Sequence, residues 1–237
     1  PRTWRNCLLF WGDFVPQDNL HIAAACPTPL PWQREAVGRI AEYLQDLFGF
    51  EPFPQAVHFW FPVLPPVGAG GFDGAGRAGE GATGLFLPRD YLQMSRWGFL
   101  WLAAHEIAHL WIGVAVRPRS SQLQCLFEGL ASYYTLVTLV QCEKAPFHYF
   151  AELVKISLDR YVVAETAAES PAAMHVGFLA ALVLDALLRR RSIGGLHPAV
   201  RSLIHTHYLS AAEVSRHDFR QAISAVDPAI LSDVFQD

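Results

Sequence analysis

The stretch 102–111, Leu-Ala-Ala-His-Glu-Ile-Ala-His-Leu-Trp, constrains this chain more than any other. Ionisable side chains inside an apolar helical run are costly to bury unless they are paired or put to use. His105, Glu106 and His109 form the pattern H-E-x-x-H. At about 100° per residue the two histidines lie about 40° apart around a helix, so both imidazoles can reach one metal ion. Glu106 projects beside them, where it can hold a water bound to that metal. The competing explanation is a pair of hydrogen-bonded core histidines.

A second stretch raises the case for a metal. Residues 126–134, Leu-Phe-Glu-Gly-Leu-Ala-Ser-Tyr-Tyr, belong to an apolar helix expected over 122–141 and carry one carboxylate, Glu128. Eighteen residues lie between His109 and Glu128, enough for one helix to end, a loop to turn and a second helix to return alongside. Two histidines and a glutamate leave one position of a tetrahedral zinc site open, an arrangement suited to catalysis. Magnesium and calcium favour all-oxygen ligand sets, so one Zn2+ is the expected cofactor. Ser132, one turn beyond Glu128, is either a partner of this site or an ordinary helix serine.

With 237 residues, 52% of them hydrophobic, the chain can bury a sizeable core. A net charge of −4 gives no basic footprint for a nucleic-acid backbone. Cys7, Cys26, Cys125 and Cys142 have no C-x-x-C spacing and read as free thiols. Residues 98–116 and 172–188 approach the length of a membrane span, yet each carries ionisable groups at its middle, so no membrane span is expected. A soluble protein follows, with the cytoplasm favoured. The chain begins at Pro1 with no charged-then-apolar leader, which leaves room for an additional upstream domain outside this sequence.

Helical periodicity predicts helices over 32–48, from an N-cap at Asp90 through the motif to Arg117-Pro118, over 146–161, and from Ser170-Pro171 to Arg191. Residues 210–213 and 227–228 mark two short C-terminal helices, and residues 57–64 and 85–87 read as strands. His197, His205, His207 and His217 read as surface residues. Between Gly68 and Gly84 stand eight glycines in seventeen residues. Either this backbone approaches a ligand, with Asp73 or Glu80 holding a charge at the rim, or it is a flexible solvated loop. Its G-x-G-x-x-G match, 79–84, lacks the following helix that a dinucleotide site needs. His175 is either a satisfied core histidine or a group flanking the site.

Taken together these stretches resemble a gluzincin zinc metallopeptidase, most similar to the glycyl aminopeptidase family, relatives of aminopeptidase N and leukotriene hydrolase. His105-Glu-Ile-Ala-His-Leu-Trp111 with Arg117-Pro118 resembles that family's H-E-x-x-H-x-W and downstream R-P, and Phe127-Glu-Gly-Leu-Ala-Ser-Tyr-Tyr134 its E-G-x-x-S-Y-Y. Residues 177–190 are similar to its G-A-L-V-A-L-L-L-D-x-x-L-R helix, and residues 217–237 to its closing segment. The resemblance implies an α+β, mainly α, thermolysin-like zincin catalytic domain. Its N-terminal sheet lobe, residues 1–95, would carry the glycine-rich substrate loop, and its helical lobe, residues 96–237, the zinc site, the two forming one catalytic unit. It further implies zinc on His105, His109 and Glu128, with Glu106 as general base attacking a peptide or small amine-bearing substrate through water.

Two departures qualify that picture. Relatives present G-G-L-E-H to the substrate's α-amine, where this chain has Gly70-Gly-Phe-Asp-Gly74 and then Glu80, so Asp73 and Glu80 are both candidate anchors. Relatives also carry an oxyanion-stabilising tyrosine in Y-x-K-G, where this chain has Met174-His-Val-Gly177. His175 is the first substitute donor and Tyr161 the second. The expectation is a zinc-dependent, aminopeptidase-like metallohydrolase. The alternative is a catalytically impaired zinc-binding relative acting as a binding or scaffolding module.

Overall fold

The computed structural model describes six strands and residues 30–49, 95–164, 172–191, 194–208 and 213–230. In chain order these form β1 (Phe14–Gln17), β2 (Leu20–Ala23), α1 (Pro31–Phe48), β3 (Val57–Trp60), β4 (Val63–Leu64), β5 (Ala75–Gly79) and β6 (Ala82–Pro88). There follow α2 (Arg96–Ala108), α3 (Ser121–Cys142), α4 (Phe147–Ala164), α5 (Ala172–Arg190), α6 (His197–Tyr208) and α7 (Arg216–Val226).

α1 begins where Pro31 fixes the first helical φ, and the Gln33 side-chain oxygen accepts the Leu30 N–H at 2.8 Å. It stops at Gly49, whose φ of 77° is left-handed and whose N–H donates to the Gln45 carbonyl at 2.7 Å. Its stripe of Ala36, Val37, Ile40, Leu44 and Phe48 is wholly buried. Phe48 packs on Trp111 at 5.6 Å, Tyr134 at 5.0 Å and His197 at 5.8 Å between ring centroids, joining α1 to the motif segment, α3 and α6. His197 is thus part of an aromatic cluster rather than the surface residue its sequence context suggests.

The strands pair in the order β1-β2-β3-β6-β4, with β5 antiparallel to β6. β2 and β3 are parallel, and α1 makes the crossover that such a pair requires. β5 and β6 lie against α2. The glycine pattern at 79–84 therefore runs from one strand into the next, which is no dinucleotide fold.

The expected fold class, an α+β thermolysin-like zincin domain with a small N-terminal sheet lobe beside a helical lobe, is corrected by the packing. Among residues whose side chains are described, every buried apolar one lies in α1–α3, α5–α7 or their flanking connections. The described body is a helical one, and α1 contributes five of its fully buried side chains from the N-terminal part of the chain. The physical cause is the period of the apolar pattern, which in α1 as in α2 and α3 places a continuous stripe on one helix face.

α2 and α3 run antiparallel. At one end Glu143, with a side chain 3% exposed, receives Arg39 at 2.6 Å and Arg96 at 3.2 Å, pinning α1, the start of α2 and the end of α3 together. At the other end the motif of α2 faces Glu128 and Ser132 of α3. α3 is long and apolar enough over Gln122–Cys142 to cross a membrane, but 67% of that window is buried inside the protein.

α3 and α5 cross with glycine on glycine. A Cβ on Gly129 would overlap the Gly177–Phe178 backbone, and one on Gly177 would sit 2.6 Å from the Cys125 carbonyl oxygen. Alanine is normally favoured over glycine in a helix by about 1 kcal/mol. Overlap with backbone reverses the sign, since overpacking costs about 1–3 kcal/mol and a main chain yields less than a side chain. Gly129→Ala is therefore expected to lower the denaturant midpoint, and an unchanged or raised midpoint would contradict this crossing.

Candidate metal centre

The motif helix ends sooner than its apolar pattern suggests. Its N-cap is Ser95, whose Oγ accepts the Gly98 N–H at 3.0 Å, while Asp90 lies outside the described residues. Its last helical residue is Ala108, so His109 is the C-cap rather than a mid-helix position. Beyond it the N–H groups of Val114 and Ala115 donate to the carbonyls of His109 and Leu110 at 3.1 Å, and Gly113 takes a φ of 118° that a side chain would strain. This turn has a chemical result. It brings the Ile112 carbonyl oxygen within 2.9 Å of His109 Nδ1.

An imidazole whose Nδ1 carries the proton presents a bare Nε2. Donation from His109 Nδ1 to Ile112 does this for one histidine, and Ser132 Oγ, 3.4 Å from His105 Nδ1, stands in the same place for the other. Ser132 is only 3% exposed, so it is a partner of the site and not a surface serine. Gln124 Nε2 donates to Glu128 Oε1 at 3.4 Å, leaving Oε2 directed at the histidines. Ile112 and Gln124 were not legible as participants: one acts through its backbone and the other lies one helical turn before Glu128.

Three ligand atoms converge. His105 Nε2 and His109 Nε2 are 3.1 Å apart, and Glu128 Oε2 lies 3.1 Å from His109 Nε2 and 3.5 Å from His105 Nε2. A tetrahedral site with bonds of about 2.0–2.1 Å has ligand–ligand edges of about 3.3 Å. The observed triangle matches that size, and the cluster His105, His109 and Glu128 is one capable of coordinating a metal ion. The side chains are 11%, 13% and 34% exposed, so a ligand can enter from the Glu128 side.

The electrostatics agree with the geometry. Burial pushes the Glu128 carboxyl up, but hydrogen bonds from His105 and His109 outweigh it and hold the group well below the usual carboxylate range. For His109 burial is likewise the largest influence and lowers the pKa, yet Glu128, Glu106 and the Ile112 carbonyl together raise it. His105, more deeply enclosed, is lowered by burial with His109 adding to the effect. Glu106, 7% exposed, is raised by burial to about 7, with His109 pulling it down and Glu128 pushing it up, so it senses both ligands while standing outside their triangle.

The structure brings His105, Glu106, His109 and Glu128 together and gives His175 a partner on α4. His175 Nδ1 and Ser157 Oγ of α4 are 3.1 Å apart. At about 100° per residue His175 stands about 160° around α5 from Gly177, the residue that touches α3. Burial and Arg160 both lower its pKa. Tyr161 sits near the end of α4 and is 40% exposed. Asp73 and Glu80 lie outside the described residues.

No family model matches this sequence, and no curated protein does. In three dimensions the chain is similar to an aminopeptidase N family protein from Idiomarina loihiensis, with a TM-score of 0.72 at 17% identity. What the two share is a fold. The alignment covers 94% of this chain and 45% of that protein, so the chain spans less than half of the length of the structure it matches.

Proposed function

We propose that the chain is a zinc-dependent metallohydrolase of the gluzincin kind, aminopeptidase-like and near the glycyl aminopeptidase family, acting on a peptide or small amide with a free amine. The observation that carries this reading is the triangle of two bare imidazole nitrogens and a carboxylate oxygen, each held from behind, with a buried carboxyl beside it. Zinc bound there supplies Lewis acidity, which makes water acidic and polarises an amide carbonyl. Every other task falls to the chain. His105, His109 and Glu128 hold the ion, and Ser132 and Ile112 fix the two rings in the tautomer that ligation needs. Glu106, with a pKa of about 7 in the metal-free pocket, accepts the proton from water at its carboxylate and delivers it to the departing amine.

Asp73 and Glu80 are the proposed anchors for the substrate amine. His175 keeps its proposed role as first donor to the developing oxyanion, since Ser157 engages only its Nδ1 and leaves Nε2 to donate. The position of His175, about 160° around α5 from the residue that meets α3, favours a second reading, in which the cluster binds metal but the cleft serves as a binding or scaffolding module.

Zinc stoichiometry combined with a hydrolysis screen of aminoacyl amides and esters separates the two. The expected outcome is one zinc per chain and turnover of at least one aminoacyl substrate. One zinc with no turnover across the panel supports the binding module, and no zinc at all overturns both readings.

A further inference from the structure

α2 is enclosed on all sides but one. Its Phe99, Leu100, Ala103, Ala104, Ile107 and Ala108 are buried, whereas Trp97, Gly98, Trp101 and Leu102 are half-buried, as is His109 beyond its end. Steps of four residues turn a helix by about 40° and advance it about 6 Å, so Trp97, Trp101, His105 and His109 follow one ridge that winds about 120° around this partly open face. The two tryptophans occupy the face that ends in the metal cluster. Tyr149, from the first turn of α4, meets both of them, with ring centroids 5.4 Å from Trp97 and 6.5 Å from Trp101. The three rings form a shelf beginning one helical turn from His105.

Trp97, Trp101 and Tyr149 pack against the core and yet each stays partly exposed, and Trp101 lies about 40° around α2 from His105. An axial offset of about 6 Å between Trp101 and His105 is within reach of a side chain carried by a residue whose carbonyl sits at the metal. Resting on the metallohydrolase reading above, we infer that Trp101, supported by Trp97 and Tyr149, is a specificity-determining residue. It receives an aromatic or large apolar side chain next to the scissile bond, so that the site prefers such residues to glycine. Aromatic rings meeting edge to face or offset contribute beyond their buried area.

Binding of L-phenylalanine hydroxamate and glycine hydroxamate to the zinc-loaded chain, by titration calorimetry, tests this without relying on turnover. The wild type is expected to bind the phenylalanine compound about tenfold more tightly. Trp101→Leu keeps an apolar side chain under Tyr149 and is expected to abolish that preference while leaving glycine hydroxamate affinity within about twofold. Trp97→Leu, farther from the cluster, should reduce the preference less, and it guards against poor folding of the first variant. Equal weakening of both compounds, or an unchanged preference in Trp101→Leu, overturns the inference and leaves the shelf as packing. If the zinc-loaded wild type binds neither hydroxamate, the metallohydrolase reading itself fails, and this inference fails with it.

Discussion

Replacing Glu128 with alanine will weaken metal binding by more than about hundredfold, beyond the roughly 10–100-fold that loss of an outer partner of a ligand produces. Glu128 supplies the only negative charge in the triangle of ligand atoms, and its Oε2 lies 3.1 Å from His109 Nε2. The substitution also removes the largest of the influences that raise the His109 pKa, while Glu106 and the Ile112 carbonyl remain. The His109 ring then holds a second proton less tightly, and its lone pair becomes easier to reach. The fall in affinity is therefore measured against a compensating gain, which makes it a lower bound on what the carboxylate contributes. Metal analysis after dialysis checks this, and full occupancy in Glu128→Ala would remove Glu128 from the ligand set.

Glu106→Gln should have the opposite profile, with metal retained and turnover lowered about 10²–10⁴-fold, the range that a positioned acid–base group contributes. The amide fills the same space but accepts no proton. A second effect appears in the metal-free chain. The buried carboxyl keeps its proton to about pH 7 in the folded state, against the usual 4.5, so the folded state binds that proton more tightly than the unfolded one. Stability from this group is whole below pH 4.5 and is lost as pH rises through about 7, by on the order of 3 kcal/mol. Glutamine does not ionise, so metal-free Glu106→Gln should lack that decline and exceed the wild type in stability above pH 7. Denaturant unfolding at pH 5 and pH 8 reads the difference. Equal pH dependence in both proteins, or turnover intact in the variant, would remove Glu106 from the proposed role.

The ligand set was legible because its two halves are local patterns: two histidines four apart, and one carboxylate alone in an apolar helix. α1, α3 and α5 were legible for a similar reason, since each carries its own period. What failed were features set by partners distant in sequence. The motif helix reads apolar well past Ala108, and only the turn at Gly113, closing on the Ile112 carbonyl, shows why it stops. α6 begins at His197-Pro198 without a polar cap, and His197 owes its place to Phe48 and Tyr134. The cap of α7 is Ser215 with Asp218, a few residues past the expected signal at 210–213. Sequence spacing does not say which side of α5 meets α3; the contact between Gly129 and Gly177 does, and His175 then meets Ser157 of α4. The six strands form a sheet that lies against α2, while the buried side chains that are described come from helices and their connections.

The ion-paired end of the α2–α3 pair has a mechanical meaning. Glu143, gripped by two arginines, acts as a pivot, and thirteen residues of helix separate Arg96 from His109, an arm of about 20 Å. Rotation by about 3° about such a pivot carries the far end through about 1 Å, which is ample to break a coordination shell whose bonds tolerate about 0.2 Å. The angle between two helices is thus read out, magnified, as the presence or absence of a site. Any residue that stiffens the pivot, however remote from the histidines, sets how sharply the site is defined.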